Sequence, residues 1–520
     1  MIFRSPWPDV AIPNLPLSDF IFANVSQWAQ LPAFIDGPSG RTLSHGEVHD
    51  AARRVAASLV QRGLRKGDVF AIVCPNVLEY AVAFHGVAMA GGTVTTANPL
   101  CTPEELAFQL NDSNARFLLT VGAFLDTARQ AVARSRVQEV FVLGEAEGAT
   151  PFAALLAGDG TPPTVTIDPA EDVVVLPYSS GTTGPAKGVM LTHRNVVAML
   201  SQFEPLSAEV GGQRTLAVLP FFHAYGMQIL MNRTLHRGIT CVTMPRFDLQ
   251  QFLQLIQQYR ITTLWIVPPI VLALAKHPLV AQYDLSSLSV VGSGAAPLGD
   301  ALQQAASERI KVPVRQGYGM TEAVITVSGW PHAGATIKPG AVGWLLPNVQ
   351  ARIVDVETGD DLGTNQRGEL LVRGPNIMRG YLNNPDATAA MIETDGWMHT
   401  GDVAIIDDEG HLFIVDRLKE LIKVKGFQVA PAHLEAVLLA HPAVADAAVI
   451  GIADDEAGEI PKAFVVLRTQ TSADEIMSHV ALHVAPYARL RALEFVDAIP
   501  KSPSGKILRR VLRERLQSTN

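Results

Sequence analysis

Short apolar runs alternate with segments of helical period from about residue 45 to residue 330. Val69–Cys74, Phe117–Val121, Thr215–Leu219, Thr263–Val267 and Leu288–Val291 are rich in aliphatic and β-branched residues and read as buried strands. Between them, Leu78–Met89, Asp248–Tyr259 and Leu298–Glu308 carry the spacing of amphipathic helices. Such alternation predicts doubly wound α/β layers on mostly parallel sheets. Past about residue 340 the pattern changes. Gln350–Val356, Glu369–Val372, Val403–Asp407 and His411–Val415 are strand-like and separated by Gly- and Asp-rich turns, which predicts a small antiparallel β unit. A third pattern follows Asp416: a strand pair, a helix opening at Pro431, strands near Ala447–Ile450 and Ala463–Leu467, then more helix. Proline in the first helical turn and Pro442 beyond the end are the usual start and stop signals. The predicted division is a large N-terminal domain over 1–416, a hinge at 416–419, and a small α+β C-terminal domain over 420–520. The chain shows no internal repeat and no low-complexity tract.

Composition narrows the class. The 520 residues supply ample core, and 48% hydrophobic with 18% charged residues describes a globular enzyme rather than a disordered or fibrous chain. A formal charge of −9 argues against nucleic acid as partner. Cys74, Cys101 and Cys241 are odd in number and widely spaced, so neither a disulfide framework nor a thiolate metal site is expected, and a reducing cytoplasm is. The N-terminus is broken by prolines and reads as no signal peptide. The most apolar stretch, Ile261–Ala275, is short for a span and contains Pro268-Pro269. The C-terminal Gln-Ser-Thr-Asn520 is no peroxisomal address.

The most informative chemistry is the run Tyr178-Ser-Ser-Gly-Thr-Thr-Gly-Pro-Ala-Lys187-Gly188, directly after the apolar Val173–Pro177. Glycines let a backbone approach an anion, hydroxyls add donors, and Lys187 adds charge. A kinase-type P-loop needs Ser or Thr after its lysine, and here Gly188-Val189 follows instead. Gln316-Gly-Tyr-Gly-Met-Thr-Glu322, Gly292-Ser-Gly-Ala-Ala-Pro-Leu298, Gly396-Trp-Met-His-Thr-Gly-Asp402, Asp416-Arg-Leu-Lys-Glu420 and Pro500-Lys-Ser-Pro-Ser-Gly-Lys506 follow along the chain.

This set resembles the ANL superfamily of adenylate-forming enzymes, and within it the 4-coumarate–CoA ligase branch, whose signature is close to Asp416-Arg-Leu-Lys-Glu-Leu-Ile-Lys-Val-Lys-Gly-Phe-Gln-Val-Ala-Pro431. The likeness spans nearly the whole chain. It implies the ANL fold, with residues 420–520 as a mobile lid, and a two-step reaction: a carboxylic acid and ATP give acyl-adenylate and pyrophosphate, and CoA thiol then displaces AMP. ATP, CoA and Mg²⁺ are the implied cosubstrates and cofactor. By the same resemblance Ser179, Ser180, Gly181, Thr182, Thr183 and Lys187 hold the β- and γ-phosphates, Gln316 and Gly317 also belong to the ATP site, and Tyr318 offers a face for adenine. Thr321 contacts the α-phosphate and Glu322 holds Mg²⁺, a hard cation suited to carboxylate and phosphate oxygens. Asp402 accepts the ribose hydroxyls and Arg417 donates nearby. Lys506 bridges acid and α-phosphate during adenylation. Lys423 and Gln428 serve thioester formation, Lys419 is the hinge, and Arg246, Lys425 and Gly426 contact CoA. The acid pocket is implied at His223, Tyr225, Ile229, Ala295 and Gly317, an apolar slot suited to a flat ring, with depth left by Ala295 and Gly317. Two positions depart from the branch: Gly184-Pro-Ala-Lys187 differs just before the lysine, and Val424 stands where an aromatic is frequent.

Taken singly, these residues have plainer readings. Asp402 could cap a turn, Glu322 could be an ordinary acid at a helix start, and Arg417, Lys419, Lys423 and Lys425 alternate like a solvated strand face. His223 beside aromatics could be structural, and the basic tail after Lys506 reads as an amphipathic helix packing leucines. The motifs in this order favour a free-standing acid–CoA ligase for an aryl-propenoic acid such as 4-coumarate or cinnamate. A medium- or long-chain fatty acyl-CoA synthetase is the nearest rival. A carrier-loading adenylation domain, a luciferase and a catalytically silent adenylate-binding protein follow at a distance. A small carboxylic acid, ATP and CoA are the expected partners, with no membrane span; monomer and homodimer both stay open.

Overall fold

The computed structural model describes residues 1–517 apart from 159, 162–163, 180–185, 208–210, 332–335, 426, 455–456 and 503–504. Two large sheets dominate. The first has eight strands, with Val69–Val73 and Thr93–Thr96 near its middle and Lys187–Thr192 and Gly380–Tyr381 at one edge. The second has seven, in the order Val314–Gln316, Val290–Ser293, Thr263–Ile266, Arg214–Ala217, Thr240–Thr243, Pro32–Asp36, Thr42–Ser44. Pairing within both is parallel apart from their edges, and one continuous core joins them, including Phe70, Phe84, Phe221, Phe252 and Leu264. A strand buried on both faces leaves no solvent side, which is why these runs read as unbroken hydrophobic stretches. Thr93–Thr96 escapes that pattern. Its hydroxyls are satisfied internally, Thr93 and Thr95 donating to the carbonyls of Val173 and Leu176 at 2.7 and 3.1 Å.

Leu288–Val291 corrects the sequence reading by two positions. The strand is Val290–Ser293, because pairing with Thr263–Ile266 starts at Val290 and Leu288 closes a turn on Leu285. The antiparallel unit is a five-stranded sheet of Gln350–Val354, Gly368–Arg373, Met398–Ile406 and Leu412–Arg417, completed by Phe3–Arg4 from the N-terminus.

At Arg417 the chain leaves that sheet, and at Ile422 it enters another, in which Ile422–Val424, Phe427–Val429, Val444–Asp454, Gly458–Leu467 and Ala492–Phe495 pair. The helix Pro431–Ala440 packs on it and buries Leu434 and Leu438 in a core separate from that of the large sheets. This C-terminal unit sits on the N-terminal body: Lys276 donates to the Leu439 carbonyl at 2.9 Å, and Gly505 lies against Val267 and Pro269. No helix among the described residues is long and apolar enough to cross a membrane.

Candidate active site

The site forms where strands of both large sheets end, beside the antiparallel unit. Asp402 and Arg417 face each other across neighbouring strands. Arg417 Nε lies 3.2 Å from Asp402 Oδ1, and the Tyr318 phenol donates to Oδ2 at 2.6 Å. Asp402 is only 4% exposed. Burial pushes its carboxyl up, while Arg417, Tyr318 and Lys506 pull it back. Each carboxylate oxygen has a second lone pair, so the group can still accept hydroxyls from a ligand. Gln316 is different. Its side chain donates to the Leu298 carbonyl and to Gln303, at 3.1 and 2.8 Å, and accepts from the Leu298 amide. It braces the loop behind the site.

Glu322 sits in the single turn Thr321–Ala323. The loop around it is strained: Val324 and Ile325, both β-branched, hold φ of 49° and 87°, a region such residues rarely enter. Gly319 is obligatory beneath them, because a Cβ there would come within 1.4 Å of the Ile325 carbonyl oxygen. The turn presses Glu322 against Tyr381, whose phenol donates to Oε1 at 2.9 Å. The Lys187 ammonium lies 4.9 Å from the centre of the same ring. Lys187 pairs with Ser179 across two antiparallel strands, so the two ends of the glycine-rich run are held together. Ser180, Gly181, Thr182 and Thr183 of that run, and Gly426, lie outside the described residues. With one oxygen of Glu322 held by Tyr381 and no other hydrogen bond to its side chain described, an oxygen remains for a hard divalent cation. A carboxylate beside phosphate-binding groups is the donor set Mg²⁺ takes.

Lys506 arrives from the C-terminal unit. Burial lowers its ammonium to about 8 and the charge of Arg417 adds to this, while Asp402 and Glu322 oppose. Lys506 thus feels the charges of all three groups. Its charge also reaches His223, which burial has lowered to about 4; the imidazole is therefore neutral, accepting at Nδ1 from the Tyr225 amide at 3.3 Å. Lys423 and Gln428 oppose each other in the hairpin of Ile422–Val424 and Phe427–Val429. Lys423, Lys425 and Arg246 are exposed, and among the described residues no contact joins Lys423 or Gln428 to Glu322, Asp402 or Arg417.

A cavity opens next to Ala295 and Gly317. Tyr225, Ile229, Ala295 and Gly317 line it, as does Ile325. His223 does not line this cavity; it stands at Lys506 instead. Trp265, Phe203 and Trp330 also line it, so large aromatic side chains share the walls with these small residues. Ser293, whose buried hydroxyl has no described partner, lies along the wall, so the slot is not wholly apolar. Sequence reasoning missed Tyr381 and Trp265, and gave no role to Ser293, which stands in the Gly292–Leu298 turn. Tyr381 had a signal in Arg379-Gly-Tyr-Leu-Asn383, a glycine–aromatic turn like those that were noted. Trp265 had none, because its role depends on the residue beside it in the next strand.

The sequence matches two family models: AMP-binding enzyme over residues 21–382 and AMP-binding enzyme C-terminal domain over residues 433–506. A 4-coumarate–CoA ligase of Pinus taeda is 45% identical over 533 residues, covering 99% of this chain and 98% of the relative. 4-Coumarate–CoA ligase 5 of Oryza sativa subsp. japonica is 46% identical, covering 99% of this chain and 97% of the relative. Among solved structures, the anthranilate CoA ligase AuaEII in complex with anthranoyl-AMP superposes with a TM-score of 0.89 at 28% identity, covering 98% of this chain and 99% of that one.

Proposed function

This chain belongs to the AMP-binding enzyme family, and we propose that it is an ATP-dependent, AMP-forming acid–CoA ligase acting on aryl-propenoic acids of the cinnamate and 4-coumarate type. The observation that carries the reading is Lys506, brought by the C-terminal unit into the charges of Asp402, Glu322 and Arg417, with the Tyr318 that bonds Asp402 also lining a mostly apolar slot.

A carboxylate resists attack because attack must expel an oxide. In the first step an acid oxygen attacks the α-phosphorus and pyrophosphate leaves, giving the acyl-adenylate. Both reactants are anions, so the residues must neutralise charge and align the atoms. Asp402 accepts the ribose hydroxyls, Tyr318 offers the ring face for adenine, and Lys187 with Ser179–Thr183 holds the terminal phosphates. Gln316 supports these groups from behind, through Leu298. Thr321 faces the α-phosphate. Glu322, steadied by Tyr381, holds Mg²⁺, which when bound neutralises phosphate charge. Lys506 spans acid and α-phosphate, a task suited to a compact ammonium. In the second step the CoA thiolate attacks the acyl carbon, the bond from that carbon to the bridging oxygen breaks, and AMP leaves carrying that one acid-derived oxygen while the other stays in the thioester. Lys423 and Gln428 serve this step, and Arg246, Lys425 and Gly426 contact CoA. Residues 1–416 form the adenylate-forming body, and residues 420–520 turn about the 416–419 hinge at Lys419 to exchange one lysine for the other. The unpaired Cys74, Cys101 and Cys241 support a reducing, cytoplasmic setting.

A panel of cinnamate, 4-coumarate, hexanoate, octanoate and dodecanoate, scored by kcat/KM for CoA-dependent AMP release, tests the acid. The expected order places the two aryl acids first. Octanoate or longer acids outranking both would assign the chain to fatty acids, with the mechanism unchanged.

A further inference from the structure

We propose that the Trp265 indole, seated over Gly292, is the stop that sets the length of acid the pocket accepts; this rests on the acid–CoA ligase reading above. Trp265 and Gly292 face each other in adjacent parallel strands. A Cβ on residue 292 would lie 2.4 Å from Cε3 and from Cζ3 of the indole, far inside van der Waals contact. The ring therefore occupies the space that any other residue at 292 would fill. Trp265 belongs to an interior strand of the seven-stranded sheet, yet it is only half-buried, and it lines the cavity.

Its surroundings hold it there. Phe203 meets the indole edge-on, ring centres 5.6 Å apart at 69°. The Arg233 guanidinium lies 5.9 Å from the indole centre and 5.2 Å from that of Phe203, and Arg233 is itself buried. The position along the strand gives the depth. Gly294 and Ala295 lie at the end of the strand nearer the charged groups, where the Gly317 amide donates to the Ser293 carbonyl at 3.0 Å and Tyr318 bonds Asp402, and Gly292 lies two residues, about 7 Å, behind Gly294. At the mouth Ala295 and Gly317 leave width. Length is set further in, where the indole blocks the slot. A flat ring on a short stem ends before it, and a long straight chain meets it.

The test is a double-mutant cycle over Trp265→Ala and Gly292→Ala, with kcat/KM measured for cinnamate and dodecanoate in the full chain. Trp265→Ala is expected to raise the dodecanoate-to-cinnamate ratio by about 10-fold or more, since added methylenes gain apolar contact in the space opened. Gly292→Ala should lower cinnamate kcat/KM by about 10-fold when Trp265 is present and by less than about 3-fold in Trp265→Ala, as two groups competing for one space must be non-additive. The rise in melting temperature on adding MgATP reports whether each variant keeps a folded nucleotide site. Should Trp265→Ala lack that rise, Trp265→Phe takes its place, with the ratio expected to rise for octanoate. An unchanged chain-length ratio in a variant that still responds to MgATP would overturn the stop. Equal costs of Gly292→Ala in both backgrounds would do the same. Wild-type enzyme releasing no AMP with any acid would overturn the ligase reading, and the stop with it.

Discussion

At the scale of single residues, the proposed chemistry depends on one ammonium held among opposed charges. Lys506→Ala should lower adenylation by about 10²–10³-fold, the usual loss for a transition-state charge contact. Presynthesised acyl-adenylate with CoA should still give thioester; a variant equally dead from acyl-adenylate would refute the division of labour. In the proposed reaction Lys506 acts as the cation, and burial lowers its ammonium to about 8. The kcat/KM of adenylation for ATP should therefore fall as pH rises through about 8, whereas the residual rate of Lys506→Arg, which keeps its proton there, should not. Tyr381 makes a second point. Tyr381→Phe keeps the ring under Lys187 but removes the 2.9 Å bond to Glu322, and should raise the Mg²⁺ needed for half-maximal adenylation by about 10-fold, the worth of a hydrogen bond to a charged group. An unchanged Mg²⁺ requirement would make the phenol incidental. Asp402, Glu322 and Lys506 stood out in the sequence because each closes a glycine-containing motif. Tyr381 carried only its glycine–aromatic turn as a signal, because its two partners come from distant parts of the chain.

At the scale of elements, the parallel strands were legible because burial on both faces leaves an unbroken apolar run, as in Val69–Val73. Two kinds of strand were not. Thr93–Thr96 hides behind hydroxyls satisfied by neighbouring carbonyls, and Gly380–Tyr381 is two residues whose partner strand lies far back in sequence. Pairing also decided where Val290–Ser293 begins, which no local pattern could do. The proposed hinge rests on the placement of the lysines: Lys506 is at the site while Lys423 is exposed, so if Lys423 serves thioester formation the C-terminal unit must turn. Lys419 is exposed, and among the described residues no hydrogen bond from its backbone amide occurs. Lys419→Pro thus removes dihedral freedom without removing a described bond. Single-turnover assays should show adenylation retained and thioester formation strongly slowed. Equal loss of both steps would point to misfolding instead.

For the whole molecule, buried histidines set the response to acid. Burial lowers His85 to about 3 and His45 and His193 to about 4. The unfolded chain takes up these protons near 6.5 and the folded chain does not, so above 6.5 they leave stability unchanged, and as pH falls from 6.5 toward 4 they favour unfolding. The melting temperature should be nearly level from pH 7 to 8 and drop steadily between 6.5 and 4; a level profile down to pH 5 would contradict this. The architecture was legible from the change in periodicity at residues 340 and 416, whereas the end wall of the acid pocket was not, because Trp265 and Gly292 meet only through sheet register. The central claim, that the acid is activated as an adenylate, is tested most directly by following the acid's own oxygen. Cinnamate labelled with heavy oxygen in its carboxylate, turned over with ATP and CoA, should deliver one labelled oxygen to each AMP and none to pyrophosphate. Unlabelled AMP, or label appearing in pyrophosphate or inorganic phosphate, would contradict the account.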